Sequence, residues 1–378
     1  VRLRYVVTNK TEANGANIFS TTASISGITN VTTSTVSAAS GGAEPESVQS
    51  IKFNAPLDYA AQGRAVTVND FKAIVPKVYP NAKSVQVYGG EDAETPVYGR
   101  VYISIVPTSG SITSSTKNQI VSDLKNSYTI ASVVPEIVDP IYTNIEIKVS
   151  FNYNAKNTVK SSETLSSNIL STITDYNTNN LTQFNRPFRY SIFTGLIDDT
   201  DSSITSNITT IKLSQNFTPT LNIATKYTLN FNNAIYNPHS GHNATAGGVL
   251  SSTGFTIFDN SNEMFLDDDG MGNVRLYYVT SGATKTYVDS TAGTIDYATG
   301  KIILTSLNIS SISNVDGVSS STIKVRVIPD SNDVIAVRNQ VLQIDLTNTS
   351  ITPQIDTVAT GSTSSGVGVS TASSYSSY

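Results

Sequence analysis

The chain has 378 residues, 38 % of them hydrophobic and only 14 % charged, with a net charge of −5 and a pI near 5.1. Its length supports two or three modules with separate cores. The acidic balance, without any Lys/Arg cluster, excludes affinity driven by nucleic-acid phosphates, and the absence of Cys removes thiol nucleophiles, disulfides and thiolate metal sites together.

Ser, Thr and Asn are over-used, while charged residues fall below the roughly 25 % of ordinary globular chains. Hydroxyl and amide side chains compete with helical backbone hydrogen bonds, so β-structure is expected to exceed helix. No apolar run approaches the roughly 18 residues that read as a membrane-spanning helix, and a soluble protein is expected. Because position 1 is Val and the opening residues already alternate, the sequence is expected to begin inside a longer polypeptide.

Residues 1–43 hold one strand candidate, Val1 to Val7, and then a Thr/Ser/Gly-rich stretch, which together read as the end of an upstream β module. A boundary near 43 is followed by Glu44-Pro45-Glu46, residues suited to a helix N-terminus. Val48, Ile51 and Ala55 then recur at helical spacing, and Pro56 is expected to end or bend that run.

From there a helix-strand-strand pattern is expected three times, with a period of roughly 40 to 50 residues. In the first copy Thr67 and Asp70 form a capping box, Phe71, Ile74 and Val75 make the apolar face, and Val85/Val87 and Val101/Ile103/Ile105 alternate as strands. The second places Ile120, Val121 and Leu124 on one helical face, then Val133-Val134 and a long strand with Ile145, Ile147, Val149, Phe151 and Tyr153 inward and Glu146, Lys148, Ser150 and Asn152 outward. The third has Leu165, Ile169 and Ile173, then Phe188 to Ile197 and a strand near Ile211 and Leu213. The fold class that follows is α+β, with repeated helix-strand-strand units in a 44–214 core flanked by β-rich modules.

Beyond residue 215 short strands alternate with Asn/Gly/Asp turns: Tyr227 to Phe231, Val274 to Val279, Thr294 to Tyr297, Lys301 to Leu304 and Ile323 to Val327. A sandwich or barrel-like module over 215–358 is expected. Residues 359–378, almost all Ser, Thr, Gly, Ala and Val, read as a flexible tail.

Few residues invite chemistry. Asp267-Asp268-Asp269-Gly270-Met271-Gly272-Asn273 has the oxygen-rich look of half a calcium loop, but the EF-hand spacing and its terminal Glu are missing, so a solvated β-turn between Met264-Phe265-Leu266 and Val274-Arg275-Leu276 is the better reading. His239 and His242 sit three apart without a neighbouring Cys or Glu cluster and read as an exposed loop. No Gly-x-Ser-x-Gly elbow exists to make them part of a hydrolase triad. Asp198, Asp199 and Asp201 could form a glycosidase acid/base pair, but no Trp is available to line a sugar cleft, so no enzyme is expected. Arg64 is expected to pair with a carboxylate or a carbonyl, and Gly89-Gly90 and Gly99 to give backbone freedom at a hairpin's ends rather than to cradle phosphate. No catalytic, cofactor or metal residues are assigned, and no cofactor is expected.

The segment Ala55-Pro56-Leu57 through Gln62-Gly63-Arg64-Ala65-Val66-Thr67-Val68-Asn69-Asp70-Phe71 resembles the signature of baseplate wedge proteins of T-even-like contractile-tailed bacteriophages, and is similar to that of baseplate J-like proteins. Tyr79-Pro80, Val85-Gln86-Val87-Tyr88-Gly89-Gly90-Glu91-Asp92, Pro96-Val97-Tyr98-Gly99-Arg100-Val101, and Pro187-Phe188-Arg189-Tyr190-Ser191 with Asp198, Asp201 and Ser203 to Asn207 continue the resemblance across about residues 44–215. It implies a virion structural subunit of the tail baseplate, assembled in the host cytoplasm. Such a subunit forms a ring through copies of itself, contacts other baseplate wedge subunits and rearranges with sheath contraction, with no nucleic acid or membrane partner. The rival reading from composition is a β-rich tail adhesin or surface-layer protein that binds cell-surface glycans.

Overall fold

The computed structural model describes residues 48–93, 95–130, 132–242, 248–280, 284–315 and 317–358, with scattered positions before 48. The strand candidate Val1 to Val7, the acidic lead-in at Glu44 and Glu46, and the tail from 359 lie outside them. The chain divides into two units, Val1–Ile141 and Tyr142–Tyr378.

In the first unit, helix α1 (Val48–Ala61) runs through Pro56 instead of ending there. Proline removes one hydrogen bond and crowds one carbonyl, which the rest of a 14-residue helix tolerates here. Helix α2 (Val68–Val78) starts at the expected capping box: Thr67 Oγ1 accepts the Asp70 N–H, and Asp70 Oδ2 accepts the Thr67 N–H at 2.8 Å. Phe71, Ile74 and Val75 are buried, as their spacing predicts. Strands β1 (Ala82–Gly89) and β2 (Arg100–Pro107) pair antiparallel, and after helix α3 (Ser114–Ser127) strand β3 (Val134–Val138) joins β2 in parallel. Val87, Ile103, Ile105, Ile120 and Leu124 close the core against α2.

Two glycines make the β1–β2 connection possible. A Cβ on Gly90 would overlap the Val97 carbonyl oxygen, and Gly99 has φ +77°, a left-handed conformation that side chains resist.

The second unit begins with the long strand β4 (Ile141–Tyr153), followed by helices α4 (Ser162–Asn180) and α5 (Tyr190–Asp198) and strand β5 (Ile204–Phe217). The expected alternation on β4 is present, with Ile145, Ile147, Val149, Phe151 and Tyr153 all buried. Leu165, Ile169, Ile173 and Tyr176 form the buried stripe of α4.

Strands β6 (Ala224–Asn230), β7 (Ser251–Ser252), β8 (Phe255–Ile257), β9 (Asn260–Asp268), β10 (Asn273–Thr280), β11 (Thr284–Asp296) and β12 (Lys301–Ile312) follow. All but β7 share one six-stranded sheet in the order β11-β10-β9-β8-β12-β6. In addition β12 pairs with β11 along Lys301 to Leu304 and with β8 along Ile309 to Ile312, so the meander closes on itself. This barrel-like closure removes one sheet edge.

Strands β13 (Ile323–Val327), β14 (Gln340–Ile344) and β15 (Ser350–Ile355) then return to the first sheet of this unit, ordered β14-β4-β5-β13-β7 with β15 parallel to β4. The expected line at 214/215 therefore runs through a shared sheet: Val325 on β13 pairs with Gln215 on β5.

The architecture is β-rich α+β, and the described residues do not form a regular threefold helix-strand-strand repeat. Among the described residues both α2-β1-β2 and α3-β3-β4 run helix, strand, strand in chain order, but only the first keeps its two strands in one sheet. The second expected copy splits, because β3 and β4 belong to different sheets, and the third contains two helices before one strand. Phe188 to Ile197 carries the second of them, since Phe193 and Ile197 recur at helical spacing. No described helix is long and apolar enough to cross a membrane.

Candidate functional site

The acidic turn is a buried junction, not the solvated turn expected from sequence. Asp267 and Asp268 are each 1 % exposed. As consecutive strand residues they face opposite sides of the sheet, and each side supplies its own donors. Asp267 lies directly opposite Arg275 in the β9–β10 register and accepts from its Nε at 2.9 Å, from Lys285 Nζ at 2.8 Å and from the Tyr287 hydroxyl at 3.0 Å. Asp268 accepts the N–H groups of Val249 and Leu250 at 2.7 and 2.8 Å and the Tyr297 hydroxyl at 2.6 Å.

Asp269 closes the turn by accepting from the Met271 N–H at 2.7 Å and from both the backbone and the side-chain amide of Asn273. Burial pushes its carboxyl up, but these donors outweigh it and hold the group below the ordinary carboxylate range. Burial and the Asp268 carboxylate push the Tyr297 hydroxyl well up, so it stays a donor. Burial pulls Lys285 down, but Asp267 together with Tyr277 and Tyr287 outweighs it, and the ammonium ends above its ordinary value. The carboxylates that resembled calcium ligands are thus occupied by protein cations and N–H groups, and the arrangement ties β9, β10 and β11 to the 249–250 segment.

On the Asp267 side, Phe265, Tyr277 and Tyr287 form an aromatic row across three strands, with ring centroids 5.8 Å apart at each step. A glycan would need the ring faces. Lys285 lies 4.3 Å from the Tyr277 centroid and Arg275 4.4 Å from that of Tyr287, so a cation already covers one face of each.

His239 is exposed, as expected, but His242 is half-buried and the two rings meet: His242 Nδ1 is 3.2 Å from His239 Nε2. The carboxylates Asp198, Asp199 and Asp201 do not converge as an acid/base pair. Asp198 holds the Asn207 amide at 2.7 Å, while Asp201 pairs with Lys160 at 2.6 Å and accepts from Ser203. The Lys160 ammonium and the Ser203 hydroxyl and N–H hold the Asp201 carboxyl down at about 2. Arg64 is exposed, and no carboxylate or carbonyl among the described residues pairs with its guanidinium.

Opposite the buried stripe of β4 the sheet face is open toward the 148–152 end of the strand. Lys148, Ser150 and Asn152 on β4 lie beside Thr210, Ile208 and Ser206 on β5, and Ile208 is 67 % exposed. The inward side of the same strands is covered: Asn207 donates to the Thr194 carbonyl of α5, and the Tyr190 hydroxyl donates to the Thr209 carbonyl.

Several stabilising residues carry no local sequence pattern. Asp333 accepts the Tyr190 N–H at 2.9 Å and pairs with Arg189, capping α5 from 143 residues away. Glu146 pairs with Arg326, and Lys324 with Asp345 at 2.7 Å, across β4, β13 and the end of β14. The buried amides of Gln215 and Gln340 both donate to Thr143 Oγ1, at 2.8 and 2.6 Å.

Two family models match consecutive parts of the chain: baseplate structural protein gp6, C-terminal domain I, over residues 67–138, and C-terminal domain III of the same protein over residues 141–216. The first match covers α2 to β3, and the second covers β4 to β5. Baseplate wedge protein gp6 of Enterobacteria phage T4 is 26 % identical over 239 residues, which are 60 % of this chain and 35 % of that protein. The chain therefore spans about a third of the length of this relative. Among solved structures, a chain of the 6-fold symmetrised cryo-EM baseplate of the anti-feeding prophage aligns with a TM-score of 0.32 at 16 % identity, over 47 % of this chain and 39 % of that one. Residues 67–216 are thus similar to the C-terminal domains of baseplate structural protein gp6, and the chain is similar over 60 % of its length to the T4 baseplate wedge protein.

Proposed function

We propose that the chain is a structural subunit of the tail baseplate wedge in the virion, assembled in the host cytoplasm, which forms a ring through copies of itself and contacts with other wedge subunits. The observation that carries this reading is the pair of consecutive gp6 domain matches over 67–216. The exposed stretch of β4 and β5 supports it, because the mixed polar and apolar surface of Lys148, Thr210 and Ile208 stands open among the described residues and suits contact with another subunit. Work is done by interface free energy rather than by bond-making, and rearranged contacts accompany sheath contraction.

The test is the association state of the full chain by light scattering and negative-stain imaging, alone and mixed with the other wedge proteins. Rings or mixed complexes are expected. A chain that stays monomeric at high concentration and binds none of the other subunits defeats the proposal.

A further inference from the structure

We infer that His239 and His242 form a binding site for one late first-row divalent cation of the zinc, copper or nickel class. The chain holds only these two histidines and no cysteine, so all of its imidazole and thiolate donors are gathered in one four-residue turn.

The geometry fits shared coordination. The His239 Nε2 to His242 Nδ1 distance is 3.2 Å. Two nitrogens bound at about 2.0–2.1 Å to one ion stand roughly 2.9 Å apart at a right angle and about 3.4 Å apart at the tetrahedral angle. The observed separation falls between these, and each ring has only to swing its lone pair roughly 40° off the line joining the nitrogens to aim at a common point.

The turn is also held ready. The His242 N–H donates to the His239 carbonyl at 3.0 Å, and the Gly241 N–H to the Gly270 carbonyl at 2.8 Å. A Cβ on Gly270 would overlap the His242 carbonyl oxygen, so the acidic turn packs directly beneath. The His242 ring stands edge-on to Tyr236 with centroids 5.3 Å apart, while His239 is open to solvent. Little conformational freedom is therefore lost when a cation binds.

A neutral pair of imidazoles shares one N–H···N bond. His239 Nδ1 lies 3.3 Å from the Ser240 carbonyl and keeps its proton there, so the shared proton belongs to His242 Nδ1; on cation binding it moves to His242 Nε2, both rings stay neutral, and His239 Nε2 and His242 Nδ1 each present a lone pair. Among the described residues no third His, Asp or Glu joins them, so water completes the coordination and the affinity is that of a two-nitrogen chelate. Imidazole, the donor here, favours zinc, copper and nickel over magnesium or calcium.

The experiment is calorimetric titration of the untagged full chain with Zn²⁺, Ni²⁺ and Mg²⁺ at neutral pH, together with the copper electron paramagnetic resonance spectrum. One Zn²⁺ or Ni²⁺ per chain is expected, with no Mg²⁺ binding and a spectrum showing two equivalent nitrogens. His239→Ala, at an exposed position, should keep the melting temperature of the metal-free chain and weaken binding at least about tenfold by leaving one nitrogen. No binding by the wild type at millimolar zinc, or equal binding by wild type and His239→Ala, overturns the assignment.

Discussion

Glu146 and Arg326 lie 180 residues apart in the chain, yet the guanidinium Nε stands 2.9 Å from both carboxylate oxygens. The contact joins a strand of the matched 141–216 domain to one that returns only after the closed meander. Their side chains are 12 % and 23 % exposed, so water screens the pair poorly and removal of one partner strands the other. Glu146→Ala should destabilise the second unit by about 3 kcal/mol in urea denaturation. The paired Glu146→Met/Arg326→Met change should recover most of that loss, and a double-mutant cycle with no coupling energy would contradict this.

Asp267 balances two cations from a site almost closed to water. Asp267→Ala leaves Arg275 and Lys285 side by side without their shared counter-charge, and should cost about 3 to 5 kcal/mol. The melting temperature is the measurement. Addition of calcium should leave the wild-type melting temperature unchanged, because protein donors already occupy the oxygens of Asp267, Asp268 and Asp269.

Acid should act through Asp201. Its folded carboxyl is held at about 2 against an ordinary 3.8, chiefly by Lys160. A depressed folded value contributes stability that is complete above the unfolded value and lost as pH falls through the folded one. Wild type and Asp201→Asn should therefore differ most above pH 4 and converge as pH approaches about 2. Parallel stability curves across that window would exclude this role.

Gly90 and Gly110 separate two reasons for conserving space and conformation in a turn. Gly90→Ala should destabilise the first unit by about 3 kcal/mol, because backbone oxygen of Val97 occupies the place of the methyl group. Gly110, at φ +71° with open surroundings, should cost only about 1 kcal/mol on the same change, from left-handed strain alone. Thermal unfolding of the two variants gives the comparison.

Thr67→Ala removes one acceptor of the α2 capping box and should cost about 1 kcal/mol, read from the same unfolding curves. Asp70→Asn keeps a side-chain acceptor and should lose less.

Local physics made part of this protein legible in its sequence. Thr67 and Asp70 are three residues apart, and the alternation from Ile145 to Tyr153 lies within one strand, so the helix start and the buried face follow from short-range bonding and strand periodicity alone. The linked blocks between 55 and 207 likewise carried the family resemblance. Partners far apart in sequence were another matter. Whether β3 joins β4 or β2 depends on which sheet completes its hydrogen bonds, and nothing in Val134 to Val138 encodes that choice. The Asp267–Asp269 run looked like a solvated turn because its cations, at Arg275 and Lys285, reach it only through the register of three strands. The meeting of His239 and His242, the capping of α5 by Asp333 and the pairing of Glu146 with Arg326 were decided only by tertiary structure. A side chain carries its charge and its hydrogen-bonding groups in the sequence, but the partners that satisfy them when it is buried are chosen by the packing of the whole sheet.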